Sequence, residues 1–321
     1  MPDAPPVLPW ADVDALASRP DTVVWASPRA RRALESAWPT ATWLDAAGPA
    51  AAAAPAASTP IATVIAIGAG AFLDRVKLGW RERAPDAALV AVPTLWGSGA
   101  EASPVAVWTE GGKKQFRLDQ ALRPTAVAYH PGFAATVSPD QARAACGDVW
   151  AHAVEGFLSP LAGDALRTEL AALIGELLVL PPASDARWFE VGGRAAALQA
   201  RASVGLVHGL AHVLEPALAR PDLGHARLCA LFLAPVLRWS ARTSGVWREL
   251  TERFGVDATA VEVMAARLSE PTVLTSLAPA VEAHWRAVLR DPCTRTSSVL
   301  VRPDSLAALT AAMAPAAGEP S

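Results

Sequence analysis

The chain has 321 residues, of which 52% are hydrophobic and 18% are charged, so it can bury enough apolar surface to fold, and its length suits two domains. Its 28 basic and 31 acidic residues give a net charge of −3, which excludes the strongly basic surface typical of a nucleic-acid-binding protein. The first residues lack a basic stretch followed by an apolar one, and no stretch of about 18 apolar residues occurs, so we expect neither a signal peptide nor a membrane span. We therefore expect a cytoplasmic protein.

Short β-branched runs, separated by helical stretches, occupy the first part of the chain. They lie at 22–27, 63–68, 89–94 and 125–130. Because nearly every position in these runs is apolar, they are typical of strands in a parallel sheet that is covered on both faces. A Gly-Gly pair divides residues 105–118 and predicts a hairpin. For the Ala/Pro tract at 46–59 we expect a loose connection.

From Ser138 onward the pattern changes to apolar residues at helical spacing. Ser138 followed by Pro139 is typical of a helix N-cap with proline at the first helical position. The predicted helical segments are 139–157, 163–180, 190–215, 224–242, 257–268 and 273–290. The sequence thus predicts an α/β domain over residues 1–138 and an all-α domain over residues 139–321.

Four of the six histidines fall in the first half of the predicted helical domain. Asp148 and His152 are four residues apart, as are His208 and His212, so each pair shares one face of a helix. His225 begins a further apolar helix. One carboxylate and several imidazoles on different helices are typical of a tetrahedral or five-coordinate site for Zn²⁺ or Fe²⁺.

The three cysteines and two of the tryptophans are interpreted first as packing residues. Cys146, Cys229 and Cys293 show no Cys-x-x-Cys spacing and are interpreted as small buried hydrophobic residues. Trp96 and Trp150 are interpreted as packing residues, with a place in a narrowed substrate pocket as the alternative.

Motifs in a fixed order extend over residues 61–306. The runs GDVWAHAVE (147–155), GLVHGLAHVLE (205–215) and GHARLCALFLAPVL (224–237) follow the runs AIGAGAFLDRVK (66–77) and PTLWGSGAE (93–101), and DPCTRTSSVLVRPDSL (291–306) comes last. Together these segments resemble the Gly-rich turn, the following loop, the metal-binding helices and the C-terminal region of the iron-containing, or group III, alcohol dehydrogenases. These enzymes share the dehydroquinate synthase-like fold.

The resemblance implies a Rossmann-like, nucleotide-binding α/β domain with a parallel sheet and an all-α metal-binding domain. It implies that a divalent metal, Fe²⁺ or Zn²⁺, binds to Asp148, His152, His208 and His225. His212 would be a catalytic residue in the cleft that relays a proton or orients the substrate without binding the metal. NAD or NADP would lie at the carboxyl edge of the sheet. The residues that the resemblance assigns to the nucleotide are Gly68, Gly70, Ala71, Asp74, Thr94, Ser98 and Lys114.

The implied function is a metal-dependent, NAD(P)-linked alcohol dehydrogenase or carbonyl reductase, in which a hydride passes between the nicotinamide and a metal-bound alcohol. The Ala-rich composition favours a tailoring enzyme of specialised metabolism, which would act on a small-molecule or peptide-borne alcohol or carbonyl group. We expect no nucleic acid and no membrane as partners, and a homodimer is left open.

Two alternatives to the dehydrogenase stay open. The short segment before the Gly-rich turn and the sequence GAGA of that turn motivate a non-redox, metal-dependent lyase or cyclase on the same fold. The second alternative is a non-catalytic partner in a biosynthetic complex. Titration with NADH or NADPH separates the dehydrogenase from the lyase or cyclase.

Overall fold

The computed structural model describes residues 4–44, 60–241 and 244–314, and the Ala/Pro tract at 46–59 lies outside them. The chain forms two compact units, which we call the α/β unit and the helical unit. The α/β unit comprises Met1–Trp108, Gln115–Val137 and Ala186–Ala197, and the helical unit comprises Thr109–Lys114, Ser138–Asp185 and Leu198–Ser321. Two short segments therefore lie on the opposite side of the predicted boundary at residue 138. Residues 109–114 belong to the helical unit, and residues 186–197 belong to the α/β unit. The assignment of nucleotide to one domain and metal to the other stays a prediction.

A parallel sheet organises the α/β unit. The described strands are β1 (Thr22–Ala26), β2 (Thr42–Leu44), β3 (Thr63–Gly68), β4 (Ala88–Pro93), β5 (Val105–Glu110), β6 (Lys113–Leu118) and β7 (Ala126–Val127). The sheet has the order β2–β1–β3–β4–β7, and each neighbouring pair is parallel. Every residue of β1 and β3 is buried, as expected for strands covered on both faces. The predicted strand at 125–130 is shorter than expected, since regular pairing in the sheet ends at Val127.

The predicted hairpin is confirmed, because β5 and β6 form a two-stranded sheet. They are joined by Gly111 and Gly112, whose φ angles are 55° and 71°. Such positive φ angles favour glycine over residues with a side chain.

Helices α1 (Trp10–Ala17), α2 (Pro28–Leu34) and α3 (Gly70–Arg83) belong to the α/β unit. Leu73 and Val76 on α3 pack against Val64 and Leu89 of the sheet in one buried apolar core. Trp96 is 2% exposed and packs edge-on against Phe189. Trp150, in the helical unit, is equally buried, and the interpretation of both tryptophans as packing residues stands.

Helices make up most of the helical unit. They are α4 (Pro139–Leu158), α5 (Asp164–Leu178), α6 (Arg187–Gln199), which begins in the α/β unit, α7 (Leu206–Leu218), α8 (His225–Ala241), α9 (Gly245–Glu252), α10 (Ala258–Leu268), α11 (Pro271–Ser276), α12 (Ala278–Val288) and α13 (Ser305–Met313). None of the helices within the described ranges is both long and apolar enough to cross a membrane.

The predicted N-cap is confirmed at the start of α4, where Ser138 and Gln141 form a reciprocal capping box. Helix α4 then crosses α8 closely, because a Cβ atom on Gly147 would lie only 2.3 Å from Cβ of Ala230. The glycine therefore lets the next residue, Asp148, lie directly against α8.

Two predicted helices are wrong in extent. The segment 190–215 is divided into α6 and α7, and Ser203 between them has a φ of 79°, which no helix residue adopts. The segment 273–290 is divided into α11 and α12, where a proline at the start of α12 cannot donate a backbone hydrogen bond to the preceding turn.

Candidate active site

Three of the four predicted metal ligands converge in the helical unit. Asp148 Oδ1 on α4 lies 3.6 Å from His208 Nε2 on α7 and 3.8 Å from His225 Nε2 at the start of α8. Cys229 Sγ, one turn further along α8, lies 3.6 Å from His225 Nε2. Ligand atoms of these four residues all lie within 4.8 Å of one another. We call these four residues the first cluster.

The first cluster fits a divalent cation. Asp148 Oδ1 and His208 Nε2 are buried, and no described residue forms a hydrogen bond with either atom. Buried polar atoms without partners are costly, and a cation between them would satisfy both. Two ligand atoms on a tetrahedral metal with bonds of 2.0–2.1 Å are about 3.3 Å apart, which is close to the separations seen here. Carboxylate, imidazole and thiolate suit Zn²⁺, and carboxylate and imidazole also suit Fe²⁺.

His152 lies beside the first cluster. Its ring stacks on that of His208, with centroids 4.7 Å apart, and its side chain is buried. Its role as a ligand stays a prediction. Cys229 is buried, as the sequence predicts, and its sulfur is also one of the four candidate ligand atoms of the cluster. Its position four residues after His225 repeats the spacing of the other pairs, and this signal was available in the sequence.

Charge at the first cluster is set by burial and by the neighbouring groups. Burial alone would raise the pKa of Asp148, but the imidazoles around it hold that pKa well below its ordinary value, so the carboxylate is charged. Burial lowers the pKa of His225 well below its ordinary value, so its ring is neutral and can bind a cation. Burial also favours neutral His208, yet the carboxylates of Asp148 and Glu155 raise its pKa to about 9. A cation would therefore release a proton from His208 as it binds.

Glu155 orients His208 from the side away from the first cluster. Its Oε2 accepts a hydrogen bond from His208 Nδ1 at 2.7 Å. Its carboxylate also accepts hydrogen bonds from the backbone N–H groups of Val207, at 2.7 Å, and His208, at 3.3 Å. These groups lie in the first turn of α7, where negative charge is favoured. The sequence motif included Glu155, but sequence reasoning assigned it no role.

Lys114, predicted to bind the nucleotide, lies in the helical unit next to the first cluster. Its Nζ forms an ion pair with Glu215 Oε2 at 3.0 Å, and the same oxygen lies 3.8 Å from His225 Nδ1. Glu215 therefore faces Nδ1 of His225 in the way that Glu155 faces Nδ1 of His208. The distance from carboxylate oxygen to ring nitrogen is larger, at 3.8 Å against 2.7 Å. A nucleotide contact for Lys114 stays a prediction.

His212 lies next to the first cluster and outside it. Its ring stacks on that of His225, with centroids 5.3 Å apart. Its Nδ1 lies 3.4 Å from Asp291 Oδ2, and its side chain is 16% exposed. His212 is therefore more accessible than His208, whose side chain is 3% exposed. This position is consistent with a residue that exchanges protons without binding the cation of the cluster.

Most of the residues predicted to bind the nucleotide lie at the carboxyl edge of the sheet in the α/β unit. Gly68 ends β3 and is paired in register with Pro93 at the end of β4, and the Thr94 N–H donates to the Gly68 carbonyl at 3.0 Å. Gly70 and Ser98 are adjacent, because a Cβ atom on Gly70 would lie 2.1 Å from Ser98 Oγ. The strand order reverses between β1 and β3, and dinucleotides bind at such a switch point in doubly wound sheets.

Ala71 and Asp74, which are also predicted to bind the nucleotide, lie in different environments. Ala71 is exposed in the first turn of α3. Asp74 is buried, its Oδ1 lies 3.1 Å from Lys77 Nζ, and its Oδ2 accepts a hydrogen bond from the Val107 N–H at 3.1 Å. Since both carboxylate oxygens are engaged within the unit, Asp74 anchors β5 to α3, and we leave it out of the proposed nucleotide contacts.

Comparison with known proteins adds independent information. The family model described as "Iron-containing alcohol dehydrogenase" matches residues 47–131. Aldehyde-alcohol dehydrogenase 2 of Entamoeba histolytica is 30% identical over 216 residues, which is 56% of this chain and 24% of that protein. The resemblance to the iron-containing alcohol dehydrogenases is confirmed. The chain spans about a quarter of the length of this relative of the family.

Solved structures share the fold. An iron-containing alcohol dehydrogenase from Thermococcus thioreducens has a TM-score of 0.72 at 19% identity, covering 95% of this chain and 97% of that chain. A sulfoacetaldehyde reductase from Bifidobacterium kashiwanohense, solved in complex with NAD+, has a TM-score of 0.72 at 18% identity, covering 95% of this chain and 93% of that chain. At these identities the comparison shows the fold alone, which is the dehydroquinate synthase-like fold that the resemblance implied.

Proposed function

We propose that the protein is a metal-dependent, NAD(P)-linked alcohol dehydrogenase or carbonyl reductase. The observation that carries the proposal is the convergence of Asp148, His208 and His225 around two buried polar atoms without hydrogen-bond partners among the described residues. The family match supports the reaction class. When bound, a divalent cation supplies a Lewis acid for an alcohol or carbonyl oxygen, and a nicotinamide supplies or accepts the hydride.

The residues of the first cluster would hold Fe²⁺ or Zn²⁺. Asp148 contributes the charged oxygen, and His208 and His225 contribute ring nitrogens. Cys229 or His152 completes the ligand set. Glu155 keeps the His208 ring in one orientation and in one tautomer, which preserves the geometry of the cluster.

His212 would move the hydroxyl proton of the substrate. In alcohol oxidation its imidazole takes that proton and releases it to solvent, and in carbonyl reduction the transfer runs in reverse. Asp291 Oδ2, 3.4 Å from His212 Nδ1, would hold the ring in one orientation. The partial exposure of His212 gives the proton a route to water.

A nucleotide would bind at the carboxyl edge of the sheet through Gly68, Gly70, Thr94, Ser98 and the first turn of α3. No side chain caps this end of α3, so its N–H groups are available to a pyrophosphate. The absence of a Cβ at Gly70 lets the Ser98 hydroxyl lie against the first turn of α3, where it would be a further hydrogen-bond donor to a phosphate. The structural neighbour solved with NAD+ supports a dinucleotide, and NAD and NADP are both candidates.

The substrate that we propose is an alcohol or carbonyl group on a small molecule or on a peptide side chain, in a tailoring step of specialised metabolism. The relative from Entamoeba histolytica is named for aldehyde and alcohol chemistry, which supports the functional group. The Ala-rich composition of the chain supports the specialised setting.

Elemental analysis of the purified protein, followed by fluorescence titration with NADH and NADPH, tests the proposal. We expect a divalent cation that is lost in His208→Ala and retained in His284→Ala, since His284 lies on α12 outside the cluster. A protein that binds the cation but neither nucleotide at millimolar concentration would be the non-redox lyase or cyclase instead.

A further inference from the structure

A second group of side chains that could bind a metal lies beside the first cluster. His212, Asp291 and Cys293 each offer one ligand atom, and these atoms all lie within 4.8 Å of one another. His212 comes from α7, whereas Asp291 and Cys293 come from the segment that leads into a short 3₁₀ turn at Thr294–Thr296. None of the three residues belongs to the first cluster.

The path of the backbone brings these three side chains together. Gly209 on α7 lets the segment approach, because a Cβ atom there would lie 2.0 Å from Thr294 Oγ1. Asp291 Oδ1 accepts a hydrogen bond from the Cys293 N–H at 2.8 Å, which fixes the turn between these two residues. The other oxygen, Oδ2, then faces His212 Nδ1.

The donor set suits a cation that binds nitrogen, oxygen and sulfur. The 3.4 Å between His212 Nδ1 and Asp291 Oδ2 matches the separation of about 3.3 Å between two ligands on tetrahedral zinc. Three protein ligands leave the fourth position for water. The side chains of His212 and Asp291 are 16% and 12% exposed, so a cation can reach them from solvent.

We propose that His212, Asp291 and Cys293 form a second divalent-cation site, which takes Zn²⁺ in preference to Mg²⁺ or Ca²⁺. Cys293 would bind as a thiolate and release its proton to water when the cation enters. Mg²⁺ and Ca²⁺ favour all-oxygen sites, so the imidazole and the thiolate select against them.

A cation at the second site would slow turnover. It would occupy the Nδ1 lone pair of His212, and a ring held in this way cannot pass a proton from one nitrogen to the other. This consequence rests on the proposed function, in which His212 moves the substrate proton. The site itself rests on the three donors alone and is tested without activity.

Titration of metal-free, reduced protein with Zn²⁺ and Co²⁺ tests the second site. We expect two equivalents per chain and a thiolate-to-cobalt charge-transfer band to which the second site contributes. Cys293→Ala should lose one equivalent together with that contribution, whereas any band from Cys229 at the first cluster should remain. Cys146→Ala is the matched control, because Cys146 is buried on α4 and belongs to neither group, and it should keep both equivalents.

Other outcomes separate this inference from the proposed function. If the band disappears in Cys229→Ala and persists in Cys293→Ala, the thiolate belongs to the first cluster and the second site is refuted. A single equivalent that is lost in His208→Ala also refutes the second site and leaves the first intact. A single equivalent that survives His208→Ala but not Cys293→Ala supports the second site and contradicts the first. Should Cys293→Ala fail to fold, Asp291→Asn removes the charged ligand and should lose the same equivalent.

Discussion

Glu155 Oε2 accepts a hydrogen bond from His208 Nδ1 at 2.7 Å. The same carboxylate accepts a hydrogen bond from the N–H of Val207, in the first turn of α7. One side chain thus fixes both the residue at which α7 begins and the ring nitrogen that faces Asp148. Carboxylates in this position orient metal-binding imidazoles and increase their basicity.

Glu155→Gln should weaken cation binding at the first cluster. The amide keeps the shape of the side chain but loses the negative charge that supports His208, and such changes cost about 10–100-fold in affinity. Competition for Zn²⁺ with a chromogenic chelator measures the loss. Glu215→Gln is the matched control and should have a smaller effect, since Glu215 lies 3.8 Å from His225 Nδ1. Equal affinity in the wild type and Glu155→Gln would contradict the orienting role.

Local sequence patterns predict those strands and helix ends that are determined by residues close to each other in the chain. The uninterrupted apolar run of β3 predicts its buried strand with both ends correct, and Ser138-Pro139 predicts the start of α4. The division between α6 and α7 was not predictable in this way. It depends on the carboxylate of Glu155, which lies 52 residues before the Val207 N–H that it binds.

The ligand atoms of the first cluster were also only partly predictable from local sequence patterns. Helical spacing places Asp148 and His152 on one face of α4. Whether His152 or Cys229 lies among the ligand atoms depends on how closely α4 crosses α8, and Gly147 sets that distance through its contact with Ala230. The spacing of residues within one helix carries no information about this crossing.

His212→Ala should lower kcat by about 10²–10⁴-fold, the usual contribution of a general acid or base. The cation of the first cluster should remain, because His212 lies outside it. Steady-state kinetics and metal analysis on the same preparation measure both quantities. Loss of the cluster's cation in this variant would make His212 a ligand and would put the ligand role of His225 in doubt.

Gly70→Ala should weaken NADH binding by about tenfold, the equivalent of roughly one lost hydrogen bond. The added methyl group would lie 2.1 Å from Ser98 Oγ, so Ser98 would have to move and the backbone would be less accessible to a phosphate. Fluorescence titration measures the affinity. Gly163→Ala is the control, because a Cβ atom there meets nothing within 4 Å. Unchanged affinity in Gly70→Ala would place the nucleotide elsewhere.

Glu101 should make the stability of the protein depend on pH. Its side chain is 1% exposed, and no described residue forms a hydrogen bond with its Oε1. Burial raises the pKa of Glu101 to about 7, whereas the same group in the unfolded chain has a pKa of about 4.3. Between these two values the folded state keeps a proton that the unfolded state has lost, so the free energy of unfolding falls as the pH rises.

Glu101→Gln should remove this dependence, since the amide resembles the protonated carboxyl group at every pH. The shift in pKa corresponds to about 4 kcal/mol, so the variant should be more stable than the wild type by up to about that amount at pH 8 and nearly equal to it at pH 4. Urea unfolding at the two pH values measures the difference. Glu82→Gln, at an exposed position on α3, is the control and should follow the wild type. If Glu101→Gln lost stability with rising pH as steeply as the wild type, the dependence would come from other groups, and Glu101 would be ionised in the folded protein.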